Sequence, residues 1–178
     1  MRYYLMEQDA GYTDIPKPLD WFKIMTCNNS KKSSIDNISN REIFYMKVTE
    51  QTVFPDILCY PLFMVSRKIK DCLMLYEPNL KFKEIILLDQ NKRIFKNYFM
   101  TELKQIDCLT SNSEYTFAHA ELKKIELDQF KIKDRTIFEI KGPQKKYIVA
   151  RLDTVESILR RGNPAVSIRE RPCVCARE

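Results

Sequence analysis

Residues 83–103 read KEIILLDQNKRIFKNYFMTEL, and the fold class turns on this stretch. Two apolar runs, 84–88 and 94–103, flank a polar connection, and the second carries Tyr98, Phe99 and Met100. β-Branched and aromatic residues suit a pleated, half-buried surface. The connection at 89–92 has hairpin length, so the two runs read as antiparallel strands.

The same texture continues toward the C-terminus, with strand-like runs at 123–127, 135–140 and 147–150 separated by short polar turns at 131–134 and 142–145. A helix then follows. Asp153 with Glu156 three residues later makes an Asp form of the capping box, and Val155, Ile158 and Leu159 make a buried stripe. Arg160 and Arg161 complement the negative end of the dipole, and Gly162 can end the helix in a left-handed conformation. Residues 165–168 return as a last strand, and 170–178 are expected to fray.

Toward the N-terminus, 43–48 and 2–6 read as strands. Between them lie Pro16 and Pro18, an apolar cluster of Leu19, Trp21, Phe22, Ile24 and Met25, and a polar loop at 26–41 rich in Asn, Ser and Lys. PDILCYPLFMV (55–65) reads as a compact element leading to Ser66, whose hydroxyl is placed to cap a helix. Ile69, Cys72, Leu73 and Tyr76 then share one helical face, and Pro78 stops it. Strands with a few helices packed on them give an α+β fold, mainly antiparallel. At 178 residues the chain reads as a single domain, 1–178, with one core.

The composition, 44% hydrophobic and 30% charged, is that of a globular chain. Glu7 and Asp9 interrupt the opening residues before a signal-peptide stretch could form, and the longest apolar run, 59–65, contains Pro61. A soluble, cytoplasmic protein with no membrane partner is the expectation. The cysteines at 27, 59, 72 and 108 lie in or beside apolar segments and read as reduced thiols. Cys173 and Cys175 are close enough to share a metal, yet no second pair completes a tetrahedral set, so a chain end that carries two thiols is the simpler reading.

Residues that would carry chemistry are sparse. The one histidine, His119, sits in EYTFAHAEL without an evident orienting partner. Three glycines, at 11, 142 and 162, build neither a phosphate-cradling loop nor a dinucleotide fingerprint. Pairs such as Asp153 with Glu156, or Asp128 with Asp134, read as a cap and turn formers. No catalytic, cofactor-binding or metal-ligating residue is assigned, and no cofactor is expected. The net charge of +6 permits a nucleic-acid partner, but 30 basic and 24 acidic residues are interspersed and form no basic stripe. Arg67, Lys68 and Lys70 place positive charge at the positive end of a helix. They are candidates for contact with an acidic partner, against a simpler reading as a solvated face.

In order and spacing, the segments FPDILCYPLFMVSRKIKDCLMLYEPNLKFKEIILLD (54–89), NYFMTELKQIDCL (97–109), KIELDQFKIKDRTIFEIK (124–141) and YIVARLDTVESILRRG (147–162) resemble one known family. It was first catalogued as a domain of unknown function and later placed among the predicted immunity proteins of bacterial polymorphic toxin systems, the Myxococcus-type immunity family. Pro55 and Asp56, Ser66, Ile106 to Cys108, and Phe138 match its pattern. The resemblance implies a non-catalytic protein that binds a cognate toxin and neutralises it. Pro55, Asp56, Ser66 and Asp107 read as structural: a turn proline, a helix cap and a buried-turn aspartate. The positive net charge suits an acidic or neutral toxin. The rival readings are an unfamiliar enzyme site near His119 and a basic nucleic-acid-binding module.

Overall fold

The structure, a computed structural model, describes residues 1–20, 39–116, 121–133, 135–162 and 165–174, with Cys173 and Val174 as backbone only. Along the chain run β1 (Tyr3–Gln8), β2 (Arg41–Tyr45), β3 (Ile57–Leu58), β4 (Met64–Val65), α1 (Arg67–Tyr76), β5 (Phe82–Asp89) and β6 (Ile94–Thr101). Then come β7 (Gln105–Ile106), β8 (Glu114–Tyr115), β9 (Leu122–Lys124), β10 (Leu127–Asp128), α2 (Gln129–Ile132), β11 (Ile137–Ile140), β12 (Ile148–Arg151), α3 (Leu152–Arg161), β13 (Val166–Arg171) and β14 (Cys173–Val174). The fold is α+β, mostly sheet with few helices.

Read from its length as one domain with one core, the chain divides into two compact units. The first comprises Met1–Glu7, Leu103–Ser157 and Ser167–Glu178; the second comprises Gln8–Glu102 and Ile158–Val166. Each has a hydrophobic cluster of its own. Chain length counts residues and is silent about how many clusters they form.

In the first unit the sheet order is β13-β1-β12-β11-β7. β12 is antiparallel to both β1 and β11, and β7 runs parallel to β11. Alternate residues Tyr3 and Leu5, Phe138 and Ile140, and Tyr147 and Val149 enter the core, as a period of two requires. Tyr3 meets Phe138 edge-on, with ring centroids 5.9 Å apart. Ile137, Ile148 and Ala150 on the opposite face are buried too, which is why this part of the sequence is apolar without alternation. The expected strand at 123–127 divides into β9 and β10, and the expected turn at 131–134 opens as the short helix α2. Asp128 caps α2 by accepting from Phe130 N at 2.9 Å, and Lys133 closes it at φ 50°. Asp134 lies outside the described residues.

In the second unit the order is β2-β5-β6-β4-β3. The β5–β6 hairpin pairs from Phe82↔Thr101 to Asp89↔Ile94, as 83–103 foretells. β2, however, runs parallel to β5. The connection between them holds β3, β4 and α1, long enough for the crossover a parallel pair needs. Phe44, Met46, Ile85, Leu87, Tyr98, Met100, Leu58 and Met64 fill the core on one face of this sheet.

Both long helices form where the pattern places them, with corrections. In α1, Ile69, Cys72 and Leu73 are buried. Ser66 holds the N-cap position with extended backbone, and its carbonyl accepts from Lys70 N at 2.9 Å, but its hydroxyl makes no capping bond. In α3, Asp153 falls inside the first turn, because the helix starts directly from β12 with no intervening loop. Its carboxylate binds the Arg151 guanidinium at 2.7 and 2.9 Å and accepts from Thr154 N. Asp153 is thus tied to Arg151 by a local ion pair from within the helix, where the sequence pattern expects it at the cap. Val155 and Ile158 are buried as expected, whereas Leu159 is 50% exposed.

The end expected to fray from 170 is paired as far as Val174: β13 runs to Arg171, and β14 pairs in parallel with β10. Of the polar loop at 26–41, only 39–41 are described, and Arg41 already belongs to β2.

Candidate binding surface

The second unit's sheet has two faces of opposite fate. Residues paired directly across neighbouring strands project to the same side, so the register assigns the face away from the core as three rows. They are Arg41, Glu84, Phe99; Ile43, Ile86, Asn97; and Tyr45, Leu88, Phe95. Val65 and Ile57 continue the first row on β4 and β3 and are fully buried.

Helix α1 packs on β4 and β6, and Lys70 Nζ lies 4.3 Å from the Phe99 ring centroid and 5.7 Å from that of Phe82. The helix thus covers the Phe99 end of this face. Toward the other end, Phe95 is 64% exposed, Ile43 42% and Tyr45 40%, with Ile86 and Leu88 half-buried between them. The result is an apolar, aromatic patch on rigid sheet backbone. Its polar boundary is built from Arg41, whose Nε donates to Glu84 at 2.5 Å, and Asn97, whose amide donates to the same carboxylate at 3.0 Å. A contiguous apolar patch with a polar rim is the kind of surface that buries itself against another protein.

Of the three basic candidates at the start of α1, Arg67 and Lys68 are exposed, while Lys70 is half-buried over the two aromatic rings. A cation on an aromatic face explains Lys70 structurally. The exposed pair remains available for contact.

Pro55, Asp56 and Ser66, read from the sequence as structural, have structural surroundings. The Pro55 carbonyl accepts from Tyr98 OH at 2.8 Å. Burial, with the Asp56 carboxylate nearby, pushes the Tyr98 phenol far above its ordinary range, so it stays a protonated donor. The Asp56 carbonyl accepts from Ser66 N at 2.8 Å, joining the turn to the helix start. Asp107 was expected in a buried turn and is exposed; the burial belongs to its neighbour Cys108. A short polar residue next to an apolar one on extended chain points the other way, and the sequence pattern does not distinguish that from a buried turn.

His119 and Cys175 lie outside the described residues, and the side chain of Cys173 is not described. Cys59, Cys72 and Cys108 are in no disulfide among the described residues. Burial raises the Cys72 thiol above its ordinary range, against the lowering influence of Arg161, which keeps it protonated and unreactive. Among the described residues, no group of three or more His, Cys, Asp or Glu could hold a metal ion, and no helix is long and apolar enough to cross a membrane.

The patch itself escapes sequence reading. The run IILL (85–88) and the segment IFY (43–45) are apolar or aromatic on both faces, which is the signature of a strand buried on both sides. Only the register shows which half is covered. The alternation in 41–45 marks Ile43 and Tyr45 as sharing a face with Arg41, and that was the available signal. Compared with protein-family models, with curated proteins and with solved structures, the chain matches none.

Proposed function

We propose that this chain is a non-catalytic immunity protein that binds a cognate bacterial toxin and neutralises it in the cytoplasm of the cell that makes both. One observation carries the reading: the apolar half-face formed by Ile43, Tyr45, Ile86, Leu88 and Phe95, in which Phe95, Ile43 and Tyr45 are exposed and Ile86 and Leu88 half-buried. Holding large apolar side chains in water forgoes about 25 cal/mol per Å² of the burial free energy, and a partner that covers them recovers it. Aromatic anchors on a fixed sheet lose little freedom on binding, which is the property of interface residues that contribute most to affinity. The ordered resemblance to immunity proteins supplies the kind of partner. The net charge of +6, with Arg67 and Lys68 exposed, favours encounter with an acidic or neutral toxin.

The test is co-expression with the product of the neighbouring gene. The expected result is rescue from its toxicity together with a complex that co-purifies. Absence of both removes the proposal.

A further inference from the structure

The first unit contains a cavity of about 250 Å³ with a strongly charged lining. Lys123, Lys145, Arg169 and Arg171 face it together with Glu7 and Glu121. Four cations against two carboxylates leave an excess of two positive charges, and Leu5 and Tyr147 supply an apolar side. Arg169 and Arg171 are two apart on β13, and Leu5 and Glu7 are two apart on β1, so each pair projects to one side of its strand. The two strands are neighbours in the sheet, which fixes the wall of the cavity.

The charges are unevenly satisfied. Lys145 is held by Glu7 at 3.2 Å and lies over the Tyr147 ring at 5.3 Å. Burial opposes its charge, but the hydrogen bond and charge of Glu7 prevail and keep it above the ordinary lysine range. Among the described residues, Lys123, Arg169 and Arg171 have no ion-pair partner. Arg171 Nε is in addition a buried donor with no hydrogen-bond partner there. A buried charged donor left unmatched is among the costlier things a fold can keep, and its natural match is an oxyanion, which a planar guanidinium grips with two parallel bonds.

We propose that this cavity is a phosphate site, taking inorganic phosphate or a small phosphate monoester. The excess charge matches a phosphate group, which carries about −1.5 to −2 at neutral pH. The volume falls just below the roughly 300–1,000 Å³ of pockets for larger ligands, so a single phosphate with a small carrier fits and a long one does not. Arg169 and Arg171 grip the phosphate oxygens, Lys123 adds a point charge, and Glu121 accepts from a hydroxyl of the carrier. The toxin-binding reading concerns another sheet and stands or falls separately.

The test is thermal unfolding of the full chain in rising inorganic phosphate against sodium chloride of matched ionic strength, with equilibrium dialysis of phosphate as a second readout. The expected results are a saturable rise in Tm by several degrees, which chloride does not produce, and stoichiometric retention of phosphate. Both are lost in the Arg169→Gln/Arg171→Gln double variant, with its far-UV spectrum unchanged. If that variant does not fold, Lys123→Gln and the dialysis of the unaltered chain decide, with weakened binding expected in the former. A phosphoserine peptide in a parallel arm tests the size limit: retention of the peptide without retention of free phosphate overturns the assignment to inorganic phosphate or a small monoester. Retention of neither, with phosphate and chloride acting alike on Tm, overturns the proposal.

Discussion

A Cβ at Gly162 would lie 2.4 Å from Asp56 Oδ2 and 3.0 Å from Asp56 Cγ. A turn about χ1 can carry the carboxylate away, but it leaves Asp56 Cβ in tight contact at 3.3 Å. Gly162 was expected to supply a left-handed helix end, but its φ is not in that region, whereas Gly142 is at 122°. It is needed for space. Gly162→Ala should therefore cost about 1–3 kcal/mol, read from the urea midpoint, and should cost less in an Asp56→Ala background. Asp89 offers a pH-dependent test. Its carboxylate accepts from the backbone N–H groups of Lys92, Val48 and Asn91 at 3.0, 2.9 and 2.9 Å, and these hold its pKa below the usual aspartate value. A depressed folded-state pKa gives stability that is present above the unfolded value and is lost as pH falls through the folded one. Stability should thus fall from about pH 4 downward, and Asp89→Asn should flatten that slope in urea midpoints taken across the acid range. Gly162 reads in the sequence as a helix terminator, and its need for space depends on Asp56, distant in the chain; Asp89 reads as a turn residue, which its bonds from Asn91 and Lys92 fit, while the bond from Val48 does not show in the sequence.

At the scale of elements, α3 separates what periodicity can reveal from what it cannot. Val155, Ile158 and Leu159 are all consistent with one helical stripe, but Ile158 is fully buried and Leu159 half in water. Ile158→Ala should cost about 2–5 kcal/mol, and Leu159→Ala should stay within about 0.5 kcal/mol, both by chemical denaturation. The β5–β6 hairpin and α1 are legible because apolar runs, turn residues and stop signals agree over several residues. The two-residue strands β3 and β4 are not, since a period of two needs more positions than they have. The parallel pairings of β2 with β5 and β10 with β14 are also invisible, because they join segments far apart in sequence. For the binding surface, alternation identifies which residues share a face, yet coverage of one end by α1 is a tertiary fact that the strands themselves do not encode.

Over the whole chain, α+β architecture follows from the run of strands and few helices, while the division into two compact units, each with a hydrophobic cluster of its own among the described residues, does not follow from length. Both units are assembled from segments distant in sequence, so a linear reading finds no boundary between them. The functional reading rests on one region of one unit. A face left open for a partner should tolerate charged substitutions in the free protein, since the affected side chains already contact water, yet those substitutions should abolish association. The decisive measurement is toxin rescue and co-purification by Phe95→Asp/Ile43→Asp, alongside its urea midpoint and far-UV spectrum. A chain that folds as stably as the parent but neither rescues nor co-purifies is the expected result. Full rescue by the double variant would contradict the assignment of this face to the partner.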